Sequence, residues 1–234
     1  MLLEICANSF QSAKNAQDAG AHRIELCQEL SVGGITPSFG LIKEVKEQLF
    51  IPVHVLIRPR AGDFVYSDEE FNIMKTDIES CKSLGCEGIV TGLLKTDSTI
   101  DVERTKQLVD LAKPMQFTFH RAFDSVKDPF LALNELMQLG VESVLTSGQA
   151  ETAEKGIGLL AQLIKKSHNK ITIMPGGGVN ETNVKKFIAI GCQEFHTSAS
   201  VIYKEKSATL FSEQLTVSSP EKISAILNEL TNEV

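Results

Sequence analysis

Apolar, β-branched runs open near residues 2, 22, 52, 87, 115, 142, 170 and 194, and a segment that reads as helix lies between each pair. Four of the runs share the same punctuation. Ala19-Gly20 leads into Ile24, Leu84-Gly85 into Ile89, Leu139-Gly140 into Val144 and Ile190-Gly191 into Phe195. Glycine after an apolar helical turn is a helix stop, because it takes the left-handed conformation without a Cβ penalty. Helix starts are equally legible. Thr36-Pro37 and Asp128-Pro129 each set an N-cap before a first-turn proline. Ser67-Asp68-Glu69-Glu70 reads as a capping box, with Phe71, Met74, Ile78 and Cys81 along one face of the helix that follows. Asp101 and Asn180 are caps for the next two candidates.

Strands alternating with helices imply parallel pairing, and right-handed crossovers close eight such units into a ring. The expected fold is α/β, a single (β/α)8 TIM-type barrel over residues 1–234. Residues 201–219 are expected to be irregular, and a closing helix is expected over 220–232. The main rival, a doubly wound open sheet, lacks its glycine fingerprint after strand one, where the chain reads Cys6-Ala7-Asn8-Ser9.

Composition narrows the function classes. A chain of 234 residues, 42% hydrophobic and 23% charged, builds a full-sized core and fits one barrel. The formal charge of −7 argues against a nucleic-acid surface. No apolar run approaches the roughly 20 residues of a membrane helix. The first strand starts at Leu2 with no signal peptide ahead of it, and five cysteines form no disulfide-like framework; both point to the cytoplasm. Apolar outer helices on an acidic barrel favour a homo-oligomer, with a dimer expected.

In a barrel, chemistry sits at the C-terminal ends of the strands. Strand one ends Glu4-Ile5-Cys6 and strand two ends Glu25-Leu26-Cys27, and period-two alternation puts Glu and Cys of each on one face. Two soft thiolates held close select Cu(I) or Zn, and His54 or His120 could complete a zinc set. Adjacent carboxylates oppose this by raising the thiol pKa. Taken singly, each cysteine is also a small buried hydrophobe. Buried Glu4 and Glu25 need partners, and Arg58 and Arg60 are the natural ones. In a sharper reading Glu25 and His120 form a general base and acid, with Arg58 holding charge. His54 and His196 read as hydrogen-bonded core histidines. Gly176, Gly177 and Gly178 after strand seven, with Ser198 after strand eight, fall where barrels bind phosphate, and Arg60 would add charge there. No lysine ends a strand, which disfavours a Schiff-base aldolase.

The runs Arg23–Cys27, Gly33–Ser38, Ile57–Phe64, Tyr66–Asp68, Phe119–Asp124 and Leu145–Gln149 resemble motifs of the CutC family, known as copper homeostasis proteins. The resemblance spans about residues 2–200. It implies a TIM-type barrel, a cytoplasmic home and copper handling, with Cys6 and Cys27 in the positions suggested as Cu(I) ligands. Apart from Cu(I), no cofactor is expected. Two functions remain: copper homeostasis through the paired cysteines, or a lyase- or isomerase-type enzyme working by acid–base chemistry on a small anionic or phosphorylated metabolite.

Overall fold

The structure, a computed structural model, describes residues 1–204 and 214–231. The chain opens with strand β1 (Leu2–Ala7), helix α1 (Phe10–Asp18) and strand β2 (Arg23–Leu26). It continues through α2 (Phe39–Gln48), β3 (Val53–Leu56), α3 (Asp68–Ser83), β4 (Gly88–Thr91), α4 (Val102–Ala112) and β5 (Gln116–Phe119). Then come α5 (Pro129–Leu139), β6 (Ser143–Thr146), α6 (Ile157–Ser167), β7 (Thr172–Pro175), α7 (Val184–Ala189) and β8 (Glu194–Thr197). Strands β1 to β8 are all parallel, in the order β7-β6-β5-β4-β3-β2-β1-β8, and β7 packs beside β8 to bring the ring almost to closure.

Glycine stops and caps fall where the pattern puts them. Gly20, Gly85, Gly140 and Gly191 all have positive φ. Asp101 and Asp128 cap their helices, and Ser67 with Glu70 completes a capping box. Two caps are displaced. Helix α2 starts at Phe39 on Ser38, because Thr36 Oγ1 is taken by the Arg58 N–H, 2.8 Å away. Asn180 closes a turn on Thr182 instead, and α7 begins after Asn183.

The expectation of irregular chain over 201–219 is corrected at both its ends. Strands β9 (Ser200–Lys204) and β10 (Leu215–Ser218) pair antiparallel, and β10 docks on α1 through the Asn15 amide to Ser218 O and the Ser218 N–H to Ser12 Oγ. The middle of that stretch, residues 205–213, lies outside the described residues. The closing helix, α8 (Pro220–Thr231), packs on α1 and α7; residue 232 of the expected span is not among those described. Among the described residues, no helix is long and apolar enough to cross a membrane.

Alternation along each strand splits the molecule into two cores. Outward residues such as Leu3, Ile5, Ile24, Leu26, Val53, Val55, Phe117, Phe119 and Phe195 are buried against the helices. Inward residues fill the lumen, and many of them are ionisable: Glu4, Arg23, Glu25, His54 and His196 are all buried. Barrel interiors are normally packed with branched apolar side chains. A lumen of charges is stable only when every charge is paired, and that pairing builds the site.

Candidate functional site

Glu4 is the hub of the lumen. Parallel register sets it beside Arg23 on β2 and His196 on β8. Its Oε2 accepts from Arg23 Nε at 2.5 Å, and its Oε1 meets His196 Nδ1 at 2.7 Å. Arg23 also reaches Glu194 at 2.6 Å. Burial pushes the Glu4 pKa up, but the His196 hydrogen bond and the Arg23 charge outweigh it, and Glu4 stays ionised. The expected partners Arg58 and Arg60 are not involved. Arg23 was hidden in plain view: it lies two residues before Glu25 on one strand, hence on the same inward face.

Above this hub, His196 Nε2 lies 3.6 Å from Glu25 Oε2. Burial alone would lower the His196 pKa, yet the bond to Glu4 and the charge of Glu25 raise it. Burial, helped by the Glu4 charge, lifts the Glu25 pKa against the pull of His196. A basic imidazole thus faces a reluctant carboxylate, an arrangement that can pass a proton either way. The cysteines complete the floor. Cys6 Sγ and Cys27 Sγ are 3.6 Å apart, both buried and inward. The contact with Cys27 and burial raise the Cys6 pKa, so Cys6 rests as a thiol.

One donor atom each from Cys6, Glu25 and His196 lies within 4.8 Å of the others, a grouping able to hold a metal ion. Metal–sulfur bonds of about 2.3 Å that close on sulfurs this far apart meet at roughly 100°, which suits a site with three or four ligands. The set fits a thiophilic cation held by Cys6 with Glu25 and His196, while Cys27 offers a second thiol 3.6 Å from Cys6 outside that grouping. The histidines expected to complete the set do not. His54 lies towards the opposite mouth, in a cavity with His22, Glu87 and Glu142, and its Nδ1 is 3.8 Å from Glu4 with no hydrogen bond. His54 was expected to be hydrogen-bonded; burial instead leaves it neutral, with its pKa lowered to about 4.

The floor opens into a cavity of about 960 Å³ at the strand ends. Cys6, Glu25, His196, Arg58, His120, Gly177, Gly178 and Ser198 all line it, together with Arg121, for which the sequence suggested no role. Several expected roles change. Arg60 is absent from the lining and pairs with Glu70 and Asp63 outside, because its strand has already turned away. Arg58 spends its guanidinium on the carbonyls of Val32, Gly34 and Gly62, tying together the loops around the mouth. Gly176 also leaves the anion group. Its N–H bonds to Thr146 O, and a Cβ there would sit 2.4 Å from Leu145 Cδ1, so the glycine serves packing.

His120 stands on the cavity wall, and its space is made by the sequence of β4 and the residue after it. Gly88 and Gly92 face inward, and a Cβ at either would fall within 2.6 Å of the rings of His54 and His120 respectively. His120 Nδ1 accepts from the Ala122 N–H at 3.2 Å. Burial and the Arg58 charge lower its pKa to about 3, so the ring rests neutral. Next to it, Arg121 is clamped by Asp124 at 2.8 Å and Ser147 at 3.0 Å. Asp124 also accepts from Thr146 Oγ1 and from the N–H groups of Ser147 and Gln149, which joins the two most distinctive sequence motifs into one rigid wall.

Comparison with known families matches residues 1–201 to the CutC family. The chain is 49% identical over 207 residues to a CutC family protein of Parabacteroides distasonis, covering 87% of this chain and 85% of that protein. It is 48% identical over 199 residues to the human copper homeostasis protein cutC homolog, covering 85% and 73% respectively. Among solved structures, a CutC protein of Streptococcus agalactiae superimposes with a TM-score of 0.80 at 34% identity, covering 85% of this chain and 98% of that one. A deoxyribose phosphate aldolase from Aeropyrum pernix matches with a TM-score of 0.68 at 12% identity over 98% of this chain and 90% of that one; that likeness shows the barrel fold alone.

Proposed function

Because this chain belongs to the CutC family, we propose that it takes part in copper homeostasis in the cytoplasm by holding Cu(I) between Cys6 and Cys27. The observation that supports this reading is the 3.6 Å approach of two buried thiols, one of which, Cys6, is grouped with His196 and Glu25. Soft thiolates favour Cu(I) over harder ions. Binding would displace the thiol protons, and the raised Cys6 pKa makes the affinity pH-dependent. Anaerobic Cu(I) titration against a competing chelator is the test. One ion per chain is expected, with affinity in the Cys6→Ser, Cys27→Ser double variant falling by more than the roughly 10–100-fold that loss of an outer-shell partner costs. An unchanged affinity would sink the reading.

A second reading is supported by a different observation. The row Glu4–His196–Glu25 ends in a cavity far larger than an ion needs. Such a cavity is within the range of small-molecule sites. In this reading Glu4 orients His196, Glu25 and His196 exchange a proton with a small anionic metabolite, and Arg121 with the Gly177–Gly178 turn faces its charge. Incubation with a cell-derived metabolite extract, followed by mass spectrometry, should show depletion of at least one small anion by the wild type and none by Glu25→Gln. Equal depletion by the variant would end this reading.

A further inference from the structure

Two residues that line the cavity, His120 and Arg58, each carry a buried donor with no hydrogen-bonding partner among the described residues, and that of His120 has no task in either reading. His120 is 5% exposed, and its Nε2 meets no hydrogen-bonding partner among the described residues. Because Nδ1 accepts from the Ala122 N–H, the single proton of the neutral ring resides on Nε2, which is therefore a donor. The ring cannot easily turn to satisfy itself. Phe64 sits edge-to-face at 4.9 Å, Phe119 at 6.2 Å, and β4 closes against the Nδ1 side at Gly92. Buried donors in native proteins are nearly always paired, and an exception on a cavity wall points to a ligand.

The neighbouring residue supplies the matching charge. Nε and Nη2 of Arg121 are fixed by Asp124 and Ser147, while its Nη1 borders Gly177, 3.4 Å from where a Cβ would stand. Any side chain at 177 would crowd the guanidinium. Burial, and then the charge of Arg58, which is held by three loop carbonyls, keep His120 uncharged against the opposing pull of Asp124. Across the same cavity lie Glu25 and His196.

We propose that His120 and Arg121 form an oxyanion subsite for a small anionic carbonyl compound, His120 Nε2–H donating to the carbonyl oxygen and Arg121 facing the carboxylate or phosphate. This deepens the acid–base reading of the cavity and rests on it for the chemical step. When Glu25 takes a proton from the carbon beside the carbonyl, the C–H electron pair becomes the new C–C π bond. The carbonyl π pair moves onto oxygen, where the His120 N–H stabilises it, and return of the proton restores the carbonyl. A neutral imidazole suits this task, because it donates without giving its proton away.

Two probes separate the sources of charge: pyruvate for a carboxylate and dihydroxyacetone phosphate for a phosphate. Calorimetry and the bound carbonyl infrared band are measured for wild type, Arg121→Gln, His120→Leu and His120→Gln. At least one probe is expected to bind the wild type with its carbonyl band shifted to lower frequency. Arg121→Gln should weaken binding at least tenfold. The band shift should vanish in His120→Leu and survive in His120→Gln, which keeps a donor. Nitrogen-15 spectra of the wild type should show His120 neutral, with the proton on Nε2, at pH 6. Failure of both probes to bind, an unchanged band in His120→Leu, or an imidazolium at pH 6 would overturn the subsite. Deuterium exchange at the carbon beside the carbonyl reports Glu25 separately. If Glu25→Gln keeps the band shift and loses exchange, both ideas stand; if exchange persists, the acid–base reading alone falls.

Discussion

His54 and His120 are neutral rings that face inward glycines of one stretch of chain, and their burial has a price in acid. Each has a folded-state pKa below the unfolded value of 6.5, so the native state binds fewer protons than the unfolded chain as pH falls. Their contribution is fully present above about pH 6.5 and is lost progressively as pH drops towards 4. For His54, lowered to about 4, the loss is on the order of 3 kcal/mol. Urea denaturation between pH 7 and pH 4 should show stability falling, with a shallower decline in His54→Asn; a flat wild-type profile would refute this. Alternation placed Glu4, Cys6, Glu25 and Cys27 on the inward face from sequence alone. Alternation also puts Arg23 on the inward face, but the register that sets Arg23 and His196 beside Glu4 depends on how the strands stagger around the ring.

The loop between β6 and α6 is held by close approach of its own backbone. A Cβ on Gly156 would fall 1.9 Å from Ser147 O, and one on Gly148 would fall 2.4 Å from Gly156 O. Backbone cannot yield as a side-chain tip can, so Gly156→Ala should cost about 1–3 kcal/mol and lower Tm. Gly158, within α6, has nothing within 4 Å. Gly158→Ala should be neutral or raise Tm, since alanine outranks glycine by about 1 kcal/mol within a helix. Thermal unfolding of the two variants side by side checks the contrast. Helix ends were well read where a cap and an apolar face coincided, as at Ser67 and Asp128. They were misread at Thr36 and Asn180, where the side chain serves another loop or a local turn. The hairpin of β9 and β10 was missed because its short strands carry exposed Val201, Ile202 and Tyr203 and give no inward-outward alternation.

At the scale of the whole molecule, the barrel has an apolar coat and an ionic axis. Removing one partner from a buried ion pair costs about 3–5 kcal/mol, whereas replacing both by apolar groups is often near neutral. Arg23→Met should therefore destabilise strongly, and the added change Glu4→Leu should recover much of the loss; calorimetric unfolding of the single and double variants decides it. If the two losses simply add, the axis does not act as a unit. Sequence periodicity disclosed the ring, but a coat-and-axis division appears only once eight strands share one interior.

The bond between Glu4 and His196 spans 192 positions of chain. On the ribosome, the acid that anchors the relay is made near the beginning of synthesis, and its imidazole emerges only after seven strands are complete. Until then Glu4 can meet Arg23 but not the histidine that gives Glu25 its basic neighbour. The Glu4–His196–Glu25 row thus forms together with topological closure, and an incompletely translated chain carries neither.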